Sequence, residues 1–132
     1  MAYLIDTNIA IHACDGFEPV LAKLGEHEGA VLLSALSLAE MQRGLYSHPQ
    51  FTALRKERLA TLLQVVPVLP FDARAAEFYG GILAQIGRVK SRDFDRLIAA
   101  HALATSSILV TANTADFADV PGLAIENWVI DA

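Results

Sequence analysis

Four carboxylates recur at one kind of place in this sequence. Asp6 ends the apolar run Tyr3-Leu4-Ile5 and is followed by Thr7 and Asn8. Glu40 falls in the first turn of the helix expected after an apolar strand at residues 30–34. Asp95 falls in the first turn of a helix expected at 93–105, and Asp116, with Asn113, comes just after an apolar strand at 108–110. Each position is a strand-to-helix edge, where an open parallel sheet gathers its ligand site. Carboxylates brought together repel by about 1 kcal/mol per pair at roughly 4 Å even in water, and more near protein. A fold that collects them calls for a cation. Hard oxygen donors suit Mg²⁺, with Mn²⁺ as the alternative. His12, His27, His48 and His101 are scattered, without the spacing of a zinc site.

Each acid also has an ordinary reading. Asp6 could simply cap a helix. Ser37 and Glu40 have the form of a capping box, with Ser37 as the cap and Glu40 three residues on. Asp116 could be a turn residue. Asp95 precedes the apolar Ile98, Ala99 and Ala102 at helical spacing and so points along their buried stripe. A charge there is costly unless it is paired or bound to metal. Asp93 lies off the stripe, at a helix start that favours any acid. Asp95 is therefore the functional candidate and Asp93 the structural one. His101 reads as a packing or hydrogen-bonding histidine.

The elements that must position these acids alternate along the chain. A strand at 3–5 leads into a helix carrying Asp6, Thr7 and Asn8 in its first turn, and a second helix opens near Pro19, where proline suits a first helical position. After the strand at 30–34 and the Glu40 helix, residues 51–64 read as a helix. Phe51, Leu54, Leu59, Leu62 and Leu63 are expected inward, and Arg55-Lys56-Glu57-Arg58 outward as a solvated face. Pro67 marks the strand at 65–69 as an edge or a bulge. Asp72 is expected to cap a helix at 73–87, a basic loop at 87–92 precedes the Asp95 helix, and a last short strand covers 125–128. Strands alternating with helices make the class α/β, with a parallel sheet covered on both faces.

The totals agree. A chain of 132 residues is read as one domain, residues 1–132. Its 54% hydrophobic content exceeds the usual range of about 45–50%, which leaves apolar surface for a partner. No apolar run nears the roughly 18 residues of a membrane span. Asp6 interrupts the first apolar run, unlike a signal peptide. One cysteine, Cys14, forms no internal disulfide and fits a cytoplasmic setting. A net charge of −5 argues against an extensive basic nucleic-acid surface, but acids awaiting metal would count toward it.

The motifs Leu4-Ile5-Asp6-Thr7-Asn8, Ser37-Leu38-Ala39-Glu40-Met41, Asp95-Arg96-Leu97-Ile98-Ala99-Ala100-His101-Ala102 and Leu109-Val110-Thr111-Ala112-Asn113-Thr114-Ala115-Asp116-Phe117 stand in one order. With Val120-Pro121-Gly122-Leu123 and Glu126-Asn127-Trp128, they resemble a PIN-domain ribonuclease, and more narrowly the VapC toxins of bacterial toxin–antitoxin pairs. The resemblance spans the whole chain. It implies a PIN-like α/β/α sandwich with a central parallel sheet and Mg²⁺-dependent endoribonuclease activity. Asp6, Glu40 and Asp95 would be the core acids and catalytic metal ligands, with Asp116 and Asn113 at the fourth corner. Thr7, Asn8 and Thr111 would support ligands or water. It also implies a VapB-like antitoxin partner, which an apolar groove from 20–24 and 51–63 could receive, and a homodimer. Arg43, Arg88, Lys90, Arg92 and Arg96 are candidate phosphate contacts. Two departures stand out: Asn113 is an amide where many members carry an acid, and Asp93 replaces a proline usual in close relatives. A phospho-accepting receiver domain is disfavoured, because no Lys follows position 90. A catalytically weak PIN-like module that binds RNA or protein is the other alternative.

Overall fold

Leu4 and Ile5 are both fully buried, yet they belong to different cores. Successive strand residues point to opposite faces, so two adjacent apolar residues demand a cover on each side. The computed structural model describes residues 1–130; the last two residues of the expected domain lie outside the described residues. Five parallel strands supply the sheet: β1 (Ala2–Ile5), β2 (Val31–Ser34), β3 (Val68–Leu69), β4 (Ser107–Val110) and β5 (Ile125–Glu126), in the order β3-β2-β1-β4-β5. Leu4 aligns with Leu32 and Leu109, and Ile5 with Leu33 and Val110. The expected α/β/α sandwich is what the chain forms.

On the Ile5 face pack α1 (Thr7–Cys14), α2 (Glu18–Glu26), α3 (Ala35–Leu45) and α4 (Thr52–Leu63), through Ile9, Val20, Met41 and Leu59. On the Leu4 face pack α5 (Ala73–Ile86), α6 (Asp93–Ala104) and the short α7 (Thr114–Phe117), through Ile82, Ile98 and Phe117. The chain leaves β1 toward β2 on one side and pairs β1 with β4 on the other. The strand order reverses there, and the carboxyl ends of β1 and β4 flank a crevice.

Several local expectations hold. Pro19 sits in the first turn of α2, Asp72 caps α5 by accepting from Ala75 N–H at 2.9 Å, and the strand after Pro67 is an edge. Two do not. The cap of α3 is Ser34, whose hydroxyl accepts from Leu36 N–H at 3.1 Å, and not Ser37. Strand β2 runs straight into the helix with no loop, so Glu40 lies in the second turn, away from the helix end. Phe51 and Leu54 are 46% and 44% exposed instead of inward: Phe51 ends the short helical turn before α4, and α4 meets its neighbours through Leu59 and Leu62.

Candidate metal and nuclease site

Asp6 follows β1 directly and caps α1, accepting from Ile9 N–H at 2.9 Å through Oδ1. Its own N–H donates to the Val110 carbonyl at 3.0 Å, which fixes it between the ends of β1 and β4. Thr111, fully buried one residue past β4, accepts from Asn113 N–H at 3.0 Å. That leaves the Thr111 hydroxyl proton for the Asp6 carboxylate. Burial nevertheless raises the Asp6 pKa, and the Glu40 charge adds to the rise, while the Thr111 and Ile9 donors oppose it.

Asp95 sits in the first turn of α6, on the stripe shared with Ile98 and Ala99. Burial raises its pKa first, followed by the charges of Asp116, Asp6 and Glu40, with Arg92 pulling the other way. The charges of the other three carboxylates thus all bear on Asp95. Asp6, Thr7, Asn8, Glu40, Asp95 and Asn113 line a single cleft of about 440 Å³. Asp116 does not line it, although Asn113 and Phe117 beside it do; the Asp116 side chain stands 47% exposed at the rim. Thr111 lies behind Asp6 and not in the cleft wall.

Among the described residues, no three His, Cys, Asp or Glu side chains close into a ready metal cage. The donor set is all oxygen, spaced apart, and strained by its own charge. That suits a small hard cation that keeps several waters and takes one or two direct carboxylates. It does not suit zinc, since no histidine or cysteine joins the acids in the set. Asp6 and Asp95, with Glu40, would hold such an ion.

Asp93 turns away from this set. It accepts from Tyr79 Oη at 2.9 Å and from Arg88 Nε at 3.2 Å, and these two donors lower its pKa. The basic candidates divide. Arg96 is 2% exposed and pairs with Asp119 through both Nη atoms, at 2.7 and 2.9 Å. Its guanidinium lies inside, which removes it from the surface contacts the sequence suggests. Arg88 is committed to Asp93, and Arg92 reaches Asp116. Arg43 is exposed and stands 3.9 Å from Glu40, and Lys90 is exposed.

The cleft continues past the acids along α1, α3 and α4, over Ile11, Cys14, Met41, Leu45 and Leu59, to Arg55 and Arg58. The groove expected from α2 and α4 is thus built from α1, α3 and α4; Val20 of α2 is fully buried in the core. Arg55 and Arg58 are not a plain solvated face. Arg55 donates to the Gly44 carbonyl at 2.7 Å near the end of α3, and Arg58 lies 3.5 Å from Asp15. A spacing of three residues beside the inward Leu59 puts both on one face of α4, from which Arg55 reaches the end of α3 and Arg58 reaches Asp15 after α1.

The PIN domain family model matches residues 3–123. The chain is 32% identical to Ribonuclease VapC2 of Rickettsia felis, over 97% of this chain and 98% of that protein. It is 30% identical to the tRNA(fMet)-specific endonuclease VapC of Shigella flexneri, with the same coverage. Among solved structures, it is similar to a chain of VapBC2 from Rickettsia felis bound to a DNA fragment from their promoter. That likeness has a TM-score of 0.85 and 29% identity, over 97% of this chain and 99% of that one.

Proposed function

The chain belongs to the PIN-domain family, and on that premise we propose that it is the toxin of a toxin–antitoxin pair. It is an endoribonuclease that hydrolyses RNA phosphodiester bonds and is neutralised by a cognate VapB-like antitoxin. The observation that carries this is the meeting of Asp6, Glu40 and Asp95 in one cleft at the switch point of the sheet, where Asp6 and Asp95 are held at raised pKa. Nucleases of this family are generally metal-dependent, and the acids are read here as a Mg²⁺ site, with Mn²⁺ as the alternative. When bound, the cation supplies charge that activates water and offsets the negative charge developing on the phosphate.

The chain's own residues do the rest. Thr111 and the α1 cap fix the Asp6 carboxylate. Asp95 presents its oxygens from a rigid helix start, and Glu40 would either hold the cation through a water or take the proton of the attacking water. Asp116 adds negative field from the rim, and Asn113, Thr7 and Asn8 orient solvent and substrate. Of the five basic candidates, Lys90 has no ion pair among the described residues and Arg43 is exposed beside Glu40, so these two are placed to meet flanking phosphates. The apolar trough toward Leu45 and Leu59 receives a segment of the antitoxin, whose own guanidinium can take the cation's place among the acids. The protein acts as a single PIN domain in a cytoplasmic homodimer. Among the described residues, no helix is long and apolar enough to cross a membrane.

The test is cleavage of RNA by the purified chain with Mg²⁺ and after chelation. The name of the Shigella flexneri relative makes initiator tRNA the first substrate to try. Cleavage is expected to require the cation and to be lost in Asp6→Asn. Undiminished cleavage by that variant would refute the assignment.

A further inference from the structure

Three arginines enter or open α6, and each meets a different acid. Arg88 is closed on Asp93 by two nitrogens, with the Tyr79 hydroxyl as a third donor to the same carboxylate. Arg96 is buried on Asp119. Arg92 is held differently. Its Nη1 donates to the main-chain carbonyl of Asp116 at 3.3 Å, and its Nη2 lies 4.0 Å from the Asp116 carboxylate. A bond to a carbonyl does not depend on the charge of the side chain beside it. The guanidinium is thus anchored next to Asp116 whether or not that carboxylate stays. Asp116 itself stands at the rim, while its neighbours Asn113 and Phe117 face the cleft.

We propose that Arg92 is a positioning residue that holds Asp116 at the rim and offsets its charge, so that a cation among Asp6, Glu40 and Asp95 meets a weaker field than four free acids would give. The inference rests on the reading of these acids as a cation site, and it concerns how strongly they hold the ion. Arg92 is the only cation of this loop that contacts a member of the acid set among the described residues, since Arg88 and Arg96 meet acids outside it.

The experiment is calorimetric titration of Mn²⁺ into the full chain, without RNA, at low ionic strength. Arg92→Gln is expected to bind Mn²⁺ about two- to fivefold more tightly, the scale of a partly exposed charge pair. Arg92→Lys, which keeps the charge, is expected to bind close to the unaltered chain. In an Asp116→Asn background, the effect of Arg92→Gln shrinks to the part that Arg92 exerts on Asp95 directly. Asp116→Asn alone, which leaves the Arg92 guanidinium on the main-chain carbonyl, weakens Mn²⁺ binding less than Asp95→Asn does. Unchanged or weaker binding in Arg92→Gln overturns the proposal, as does equal tightening with and without Asp116, or an Asp116→Asn loss as large as that of Asp95→Asn. A chain that takes up no Mn²⁺ at all overturns the cation site itself, and the proposal with it.

Discussion

Ser34→Ala removes one oxygen that serves two elements. The Ser34 hydroxyl caps α3 through Leu36 N–H and meets Nδ1 of His101 on α6 at 2.8 Å, at a site with no solvent exposure. The Pro70 carbonyl also faces the imidazole. A carbonyl only accepts, so the ring proton is assigned to Nε2, and Nδ1 accepts the Ser34 hydroxyl proton. Losing the cap costs about 0.5–2 kcal/mol. Leaving a buried ring nitrogen without a partner costs about 1–3 kcal/mol. The two effects share one side chain, so the expected loss is about 2–4 kcal/mol. At about 2.1 cal/mol/K per residue, 132 residues give an unfolding entropy near 0.28 kcal/mol/K. The thermal midpoint should then fall by about 7–14 °C. The assay is urea unfolding at pH 7.5 with a parallel thermal scan. His101→Leu in the Ser34→Ala background removes the orphan nitrogen, so the double variant should lose less than the two single losses combined. Burial lowers the His101 pKa, against the Asp72 charge and the Pro70 carbonyl. Its contribution to stability is full above the unfolded value of about 6.5 and fades as pH falls through the lowered folded value. His101→Leu should therefore flatten the stability profile below about pH 6.5. A Ser34→Ala loss under about 1 kcal/mol, or strict additivity with His101→Leu, would refute the paired-network reasoning.

Asp6→Asn should stabilise the cation-free protein while abolishing cleavage. The folded pKa of Asp6 is raised, so its charge destabilises the fold near neutral pH, and that penalty vanishes as pH falls through the raised folded value. Asparagine still accepts from Ile9 N–H. A gain of about 0.5–2 kcal/mol by urea unfolding in chelator is expected, narrowing when Mg²⁺ binds the unaltered chain. An Asp6→Asn chain less stable than the original under chelation would contradict this. Asp95→Asn should cut cleavage more than about a hundredfold, beyond the loss seen on removing mere supporting partners of a metal. Asp93→Asn, which only loosens the Arg88 and Tyr79 contacts, should keep cleavage within a few-fold. The reverse ranking in an RNA cleavage assay would exchange their roles.

The positions of Asp6 and Asp95 were legible because backbone pattern alone places them. Apolar runs that end at Ile5 and Val110 set the strand ends, and the stripe from Asp95 through Ile98 and Ala102 turns one of two nearby acids inward. The cap of α3 was not legible in the same way. Ser37 and Glu40 match a capping box by residue type, but Ser34 does the capping, stabilised by a histidine 67 residues away. Local pattern holds no record of that partner. Phe51 and Leu54 failed for a related reason. Helical periodicity predicts which residues share a face, but what that face meets is decided by the packing of α4 on α1 and α3.

The cations were the least legible residues, and their placement explains the chemistry of the acids. Long flexible side chains choose partners across the chain: Arg58 takes Asp15, Arg88 takes Asp93, and Arg96 takes Asp119. Asp93 and Asp119 lie outside the cleft, while Asp15 lines it together with Arg58. Arg92 reaches only the rim acid, and Arg43 only approaches Glu40. Among the described residues, Asp6 and Asp95 alone of the acid set are left without an ion pair, and both have raised pKa values. The fold has thus paired Asp15, Asp93 and Asp119 internally and left Asp6 and Asp95 unbalanced. Any positive charge that enters the cleft gains from that imbalance. A divalent ion and a guanidinium on an antitoxin segment would then compete for the same place, so the imbalance that would draw in the cation would also open the site to inhibition.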